Sequence, residues 1–113
     1  MSNSVAQFTA LASVAAASVG ATYGVIGSPT GNPIRLFKFT NLTDADIIAT
    51  YNPTMDQLII PAGSFTLYDI STNRGHNTEL RIAQNTQWYV KYATSPPTIK
   101  SIYLEQIYTV TGN

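Results

Sequence analysis

The sequence predicts an all-β protein, an antiparallel β-sandwich of about seven strands with an extended N-terminal arm. Short runs rich in Ile, Tyr, Phe and Thr follow one another after Pro33, and turns of Gly, Pro and Asn separate them. Apolar and polar side chains alternate in these runs, which is the pattern of half-buried strands. No charged side chain precedes Arg35, so the chain divides into an uncharged arm, residues 1–33, and a sandwich domain, residues 34–113.

The uncharged arm is rich in Ala, Ser and Gly and lacks the features of a targeting sequence or a membrane span. A secretory signal would begin with Lys or Arg, and a membrane helix needs about 20 mainly apolar residues. Ala favours a helix over residues 5–17, whereas the Gly and Pro after Val19 break regular elements. Two interpretations remain open: a disordered tail, or an arm that neighbouring subunits order in an assembly. The arm residues expected to make assembly contacts are Phe8, Leu11, Val14, Val19, Tyr23, Val25 and Ile26.

The sandwich domain begins with residues 34–42, where Phe37 and Phe39 alternate with Leu36 and Lys38. Because successive side chains of a strand point to opposite faces, this run predicts a half-buried strand. The later runs carry a similar signal, and they cover residues 45–51, 56–63, 64–71, 78–83, 86–94 and 99–110. In the last two runs, single faces are predicted to hold Trp88, Val90 and Tyr92, then Ile102, Leu104, Gln106 and Tyr108. No window after Pro33 predicts a long helix.

The charge of the chain argues against nucleic acid as a partner. Six Lys and Arg residues balance six Asp and Glu residues, and the basic residues are spread singly along the sequence. A nucleic-acid binder needs a clustered basic excess that releases counterions from phosphates. Charged residues make up 11% of the chain, whereas an average soluble domain has about 25%. We therefore expect a surface that packs against other protein, including further copies of this chain, and no membrane partner.

The sequence offers few groups for catalysis or metal binding. It contains no cysteine and one histidine, His76, whereas a zinc site needs three or four ligands at fitting spacing. Asp44 and Asp46 form the nearest pair of carboxylates, but NLTDAD is typical of a turn in which Asp accepts local hydrogen bonds. The sequence has neither a nucleophile elbow nor a phosphate-binding glycine loop. We expect no enzymatic activity, no cofactor and no metal.

Two turn clusters, TNRGHN and SPPT, are long enough to form exposed loops, where binding residues tend to concentrate. The residues predicted to meet a ligand or partner there are Asn73, Arg74, His76, Asn77, Pro96 and Pro97. Trp88 has two interpretations. Its alternation with Val90 and Tyr92 favours a core position, whereas an exposed Trp on a sandwich face would stack on sugar rings.

Residues 34–110 resemble small virion proteins of tailed bacteriophages. The stretches that carry the resemblance are IPAGSFTLYDISTN, NTELRIAQNTQWYVKY, SPPT and IYLEQIY. The resemblance implies a jelly-roll-like sandwich and a capsid decoration or cement protein that stabilises the shell by arm and sheet-edge contacts. It further implies a homo-oligomer that binds the major capsid protein or other virion proteins, located in the virion after synthesis in the host cytoplasm. The alternative is a tail, head-fibre or host-surface carbohydrate-binding module that uses Trp88, Tyr89 and the TNRGHN loop.

Overall fold

The computed structural model describes residues 3–69 and 82–112, and it confirms the all-β prediction. In these residues nine strands accompany one short 3-10 helix, Ala16–Ser18. The strands are β1 (Asn3–Phe8), β2 (Ala12–Ala15), β3 (Gly24–Ile26), β4 (Leu36–Asn41), β5 (Ile47–Thr50), β6 (Leu58–Ile60), β7 (Ser64–Asp69), β8 (Trp88–Tyr92) and β9 (Ser101–Gly112). Strands β4 to β8 lie within predicted runs, and β9 begins within one. Most of the predicted run over residues 78–83 falls outside the described residues.

The strands form two antiparallel sheets. In the larger sheet the order is β1/β2–β9–β4–β7, and β1 and β2 follow one another along the same edge of β9. In the smaller sheet the order is β3–β8–β5–β6. Apart from β2 and β6, each strand lies in the opposite sheet from the strand before it. The chain therefore passes back and forth between two layers.

The two layers enclose one apolar core. The larger sheet contributes Phe39 and Leu104, and the smaller sheet contributes Ile47 and Trp88; none of these is more than 1% exposed. Their neighbours along each strand point the other way, so each sheet has an inner and an outer face. Burying one such side chain contributes roughly 1.5–3 kcal/mol. A register shifted by one residue would lose this contribution along the whole strand, and the alternation in sequence therefore selects the observed pairing.

Trp88 lies at the centre of an aromatic cluster in this core. Its ring centroid is 4.9 Å from that of Phe37 and 5.1 Å from that of Phe39. Its Nε1 donates a hydrogen bond to Oε1 of the buried Gln106 at 3.0 Å, which satisfies a group that is costly to bury alone. The core interpretation of Trp88 is confirmed, and Trp88 is not available to stack on a sugar ring.

A buried amide, Asn41, joins the end of β4 to both sheets. Its Nδ2 donates to the carbonyl oxygens of Ala45 and Ile60, each at 2.8 Å. Its Oδ1 accepts from the backbone N–H of Thr43 at 2.9 Å and from the Thr43 hydroxyl at 2.6 Å. The NLTDA turn is therefore held in place from inside the protein, and it directs the chain from the larger sheet into β5 of the smaller one.

The N-terminal segment predicted as an arm is built into both sheets of its own chain. β1 and β2 pair with β9, and β3 pairs with β8. Residues 5–17, considered for a helix, lie mostly in β1 and β2. Directly after β3, Gly27 adopts a φ of 72°, and a Cβ at this position would lie 2.9 Å from the Cβ of Ala12. The described strands before and after residue 33 thus belong to the same two sheets, and an arm that lies across a neighbour is not confirmed.

Candidate interaction surfaces

One candidate surface lies where β9 extends past the body of the larger sheet. β4 accompanies β9 as far as Ile107, whose register partner on β4 is Leu36. Within the described chain, the rest of β9 pairs with β1 alone. We call this two-stranded element, residues 3–8 and 107–112, the β1–β9 ribbon. The five residues of β9 beyond Ile107 span about 17 Å, as expected for an antiparallel strand. The molecule is elongated, at 51 × 24 × 22 Å.

The β1–β9 ribbon lacks cover on its outer edge among the described residues, because β1 is the last strand of its sheet. The side chains of Val5 and Phe8 on this strand are 41% and 66% exposed. A two-stranded ribbon is marginally stable by itself in water. A free strand edge also presents unpaired N–H and C=O groups to which another strand can bind. The ribbon therefore has the properties of a contact element.

A second candidate surface is the outer face of the larger sheet. Cross-strand neighbours form three rows on it: Phe8–Ile107–Leu36–Asp69, Glu105–Lys38–Leu67, and Ser13–Tyr103–Thr40–Phe65. On the edge strand β7, Phe65 is 59% and Leu67 is 51% exposed. Large contiguous apolar patches are uncommon on soluble monomers and mark interaction sites. This outer face is therefore suited to contact with another protein surface.

The centre of this outer face carries one charge of each sign. Lys38 on β4 and Glu105 on β9 are direct register partners on the two middle strands. The Lys38 ammonium lies 4.7 Å from the ring centroid of Phe65 on β7, so it leans away from β9. Asp69 lies at a corner of the same face, at the end of β7. The charges at the centre thus sum to zero within an otherwise apolar or hydroxyl-bearing surface.

An open cleft of about 410 Å³ lies beside the smaller sheet, between residues 21–23 and residues 53–56. The Tyr23 hydroxyl donates to Oδ1 of Asp56 at 2.5 Å, and Nζ of Lys91 is 3.3 Å from the same oxygen. Nζ of Lys91 also lies 4.7 Å from the centroid of the Tyr23 ring. These contacts join the segment before β3 to the loop after β5.

The protonation states of this cluster follow from its contacts. Burial raises the pKa of Tyr23, and the hydrogen bond to the Asp56 carboxylate raises it further. The same hydrogen bond lowers the pKa of Asp56, and the Lys91 ammonium adds to that effect. Tyr23 therefore stays protonated and Asp56 stays ionised at neutral pH. The cluster acts as a fixed polar contact that holds the N-terminal segment in place.

The predicted assembly residues divide into exposed and buried groups. Phe8, Leu11 and Val25 are exposed, at 66%, 62% and 59%, and they remain candidates for contact with another chain. Phe8 lies on the larger sheet, Val25 on the smaller one, and Leu11 between β1 and β2. These three side chains therefore do not form a single patch.

The buried group does not support its predicted role. Val19 and Ile26 are 6% and 1% exposed and belong to the core of their own chain. Val14 packs against this core, and Tyr23 is half-buried in the cleft described above. The assignment of Val19 and Ile26 to neighbour contacts is corrected, because both side chains are buried in the core of their own chain. Val14, on β2, is half-buried against the same core.

The two predicted binding loops have different outcomes. Asn73, Arg74, His76 and Asn77 lie outside the described residues. In the SPPT loop Pro96 is exposed and Pro97 is buried, so Pro96 alone of the two prolines is accessible to a partner.

The two aspartates of NLTDAD serve as hydrogen-bond acceptors for other loops. Asp44 accepts from the Thr98 backbone N–H at 2.7 Å and from the Thr98 hydroxyl, and these bonds lower the pKa of Asp44. Asp46 accepts from the backbone N–H of Ala62 at 2.9 Å. Both aspartates are acceptors, but the predicted local character of these bonds is wrong, because the donors Thr98 and Ala62 lie 54 and 16 residues away along the chain. Among residues 3–69 and 82–112, no group of three or more His, Asp or Glu side chains could hold a metal ion.

Sequence reasoning missed the Tyr23–Asp56–Lys91 cluster and the apolar outer face. The cluster has no signal in the sequence, because Tyr23 and Asp56 are 33 residues apart and only the fold brings them together. The outer face has a signal in SFTLYD, where Phe65 and Leu67 occupy one face of the run and Tyr68 occupies the other.

Comparison with known proteins identified no matching family model, no similar curated protein and no similar solved structure. In the part of the chain that the structure describes, no helix is both long and apolar enough to span a membrane.

Proposed function

We propose that this chain is a structural virion protein of a tailed bacteriophage, a decoration or cement protein that stabilises a capsid shell by adhesion. Its partners would be the major capsid protein or other virion proteins, and its location would be the particle. Adhesion requires contact surfaces and no active site. The observation that carries this proposal is the β1–β9 ribbon, in which, among the described residues, β1 has a free outer edge and the side chains of Val5 and Phe8 are exposed.

The order of the strands supports a finer description of the fold, the jelly roll. When β1 and β2 are counted as one position, the chain fills eight strand positions in two four-position sheets. Successive strands alternate between the sheets except at β5 and β6, as a jelly roll requires. Jelly rolls occur in viral capsid and lectin domains and in cupins. Because one fold serves several functions, the exposed surfaces must supply the functional argument.

The ribbon offers a specific mode of contact, the addition of a strand to a sheet edge. In this mode main-chain hydrogen bonds provide affinity, and alternate side chains provide specificity. On the ribbon, the free edge belongs to β1, and Val5 and Phe8 are its exposed large side chains. The adhesive part would therefore be a strand edge built into the fold, which replaces the separate arm expected from composition.

The charge balance suits close packing on a shell. The formal net charge is zero at pH 7, so crowded copies would not repel one another over long range. Even where one copy binds its site weakly, copies that also contact each other bind together by avidity. Homo-oligomerisation would then strengthen adhesion without any new contact to the shell.

Co-sedimentation with the parent phage particle, stripped of this protein, tests the proposal. The full chain is compared with a variant that lacks residues 1–7, which removes most of β1 and no side chain described as buried. The matched control is Ile59→Ser, since Ile59 is 56% exposed on β6 of the other sheet. We expect the truncation to weaken binding by about tenfold or more, as loss of a central contact does, and the control to bind like the full chain.

Other outcomes contradict specific parts of the proposal. Equal binding of the truncated and full chains would exclude the ribbon as the adhesive element. Binding to tails or head fibres instead of shells would replace the cement role with the alternative virion role. If no part of the particle binds the full chain, the virion function is wrong.

A further inference from the structure

We propose that the outer face of the larger sheet packs against the same face of a second copy of this chain. The two copies would be related by a two-fold axis that runs parallel to the strands, between β4 and β9. This inference concerns the free protein and does not depend on the virion function. It rests on the position of the two central charges and on the composition of the rows beside them.

The central charges are self-complementary under this axis. Lys38 and Glu105 lie directly opposite each other on the two middle strands. A two-fold axis between these strands exchanges their positions, so Lys38 of each copy faces Glu105 of the other. An axis perpendicular to the strands would instead place Lys38 against Lys38 and Glu105 against Glu105. Like charges in contact across an interface are strongly unfavourable, so the charges select the parallel axis.

The flanking rows match under the same operation. In the first row Ile107 of one copy meets Leu36 of the other, which is an apolar pair. In the third row Tyr103 meets Thr40, and Phe65 on β7 meets Ser13 on β2. At the corner of the first row, Phe8 on β1 meets Asp69 on β7. In the other pairs of these two rows, each large side chain faces a smaller one or another apolar one. An isologous interface requires this kind of self-complementarity.

The geometry also agrees with how sheets pack. Strands of the two copies would run nearly along one direction, as in aligned face-to-face sheets, which cross at about 30° and lie about 10 Å apart. Four strand positions and six residues of length give a face of about 20 by 20 Å, or on the order of 800 Å² buried in total. Interfaces of this size are weak or transient. A weak dimer suits a protein that depends on avidity.

Sedimentation velocity of the free protein, from micromolar to millimolar concentration, measures this dimer directly. The first pair of variants is Leu67→Ser on the proposed interface and Ile59→Ser on the opposite sheet. Both residues are exposed leucine-sized side chains on edge strands, at 51% and 56%. We expect Leu67→Ser to weaken self-association by about tenfold and Ile59→Ser to leave it unchanged.

A charge exchange tests the orientation of the axis. Lys38→Glu and Glu105→Lys should each abolish detectable association, because each places two like-charged pairs across the interface. The double variant, Lys38→Glu with Glu105→Lys, should restore it. Thermal unfolding of each variant at low concentration serves as the control for effects within one chain.

Three outcomes would overturn the inference. The full chain could remain monomeric over the whole concentration range, which would exclude the dimer. Leu67→Ser and Ile59→Ser could weaken association equally, which would place the interface elsewhere. If the full chain is monomeric and its Leu67→Ser variant also fails to bind the particle, this face contacts the shell and not a second copy. These experiments do not use the variant that lacks residues 1–7, which tests the virion function. A chain that does not dimerise would therefore leave the proposed virion function undecided.

Discussion

The uncharged N-terminal segment contains two parts that look alike in composition and differ in structure. In the first part, residues 3–11, β1 pairs with the far end of β9, and Phe8 and Leu11 are among its exposed side chains. In the second part, residues 12–33, Val19 and Ile26 enter the core. Both parts consist mainly of Ala, Ser, Gly, Val and Thr. Composition alone therefore cannot tell a core-forming segment from a projecting one.

The second part is also held by polar side-chain contacts to the rest of the sandwich. Thr30 is 3% exposed, and its hydroxyl donates to the Ala83 carbonyl at 3.1 Å and accepts from the Thr86 N–H at 3.0 Å. Tyr23 adds the bond to Asp56 described above. Small side chains allow this close approach, as the contact between Gly27 and Ala12 illustrates. The lack of charge thus accompanies packing inside one chain in this part, whereas in the other part Phe8 and Leu11 are exposed.

Two truncations should produce the largest contrast between the two parts. Removal of residues 1–33 deletes β2 and β3 together with Val19 and Ile26, and we expect the remaining chain to lose its cooperative thermal transition. Removal of residues 1–7 should leave a cooperative transition, because the described side chains among them are exposed. Near-ultraviolet circular dichroism of Trp88 reports both outcomes. A cooperative transition after the longer truncation would show that the segment is an appendage.

Neighbouring residues of β3 should differ nearly as clearly. Ile26 is 1% exposed, so Ile26→Ala should destabilise the protein by about 2–5 kcal/mol. Val25 is 59% exposed, and Val25→Ala should change stability by at most about 0.5 kcal/mol. Denaturant unfolding with a constant slope measures both values. Equal effects of the two substitutions would mean that β3 is not packed on the core.

The Tyr23 contact should appear as a smaller, pH-dependent effect. The folded-state pKa of Asp56 is lowered chiefly by the Tyr23 hydrogen bond, so its contribution to stability is present above about pH 4 and is lost on acidification. The pKa of Tyr23 is raised, so its contribution is present below about pH 10 and is lost as pH rises further. Tyr23→Phe should reduce both losses, whereas Tyr103→Phe should not. Melting temperatures measured from acid to alkaline pH check this prediction. If Tyr23→Phe shows the same dependence of melting temperature on pH as the unsubstituted protein, the contact is absent.

Phe8→Ser should have the smallest effect on folding. Phe8 is 66% exposed, and the substitution should change the free energy of unfolding by no more than about 0.5 kcal/mol. The measurement requires low protein concentration, because Phe8 also lies in the first row of the proposed dimer face. A loss comparable to that of Ile26→Ala would remove the distinction between the two parts of the segment.

The strands of the sandwich domain could be predicted from the sequence because apolar and polar side chains alternate clearly along them. Phe37 and Phe39 share one face of β4, as the alternation predicted, and this face is the buried one; Trp88 and Val90 are likewise buried on the opposite sheet. When one face of a strand is buried, every second residue of the strand is apolar, and this pattern can be seen within a short window of sequence. This is why β4 to β8 fall within the predicted runs.

The N-terminal strands and the candidate surfaces could not be predicted from the sequence in the same way. β2 and β3 have three or four residues each, too few for a periodic signal to exceed the effect of the surrounding Gly and Ser. Their partners, β9 and β8, lie far along the chain, so pairing depends on tertiary contacts that no local window contains. The same holds for Tyr23 and Asp56. The apolar outer face had a local signal in Phe65 and Leu67, which were interpreted only as strand residues.

The position of β9 in the larger sheet has a consequence for how the protein folds. β9 pairs with β1, β2 and β4, and Asn3 and Gly112 are register partners. Contacts between residues so distant along the chain carry a large loop-closure entropy and slow the folding of β proteins. During synthesis β1 and β2 emerge first and must wait for β9 to leave the ribosome. In this interval the hydrogen-bonding edges of β1 and β2 lack the partner that they have in the folded protein.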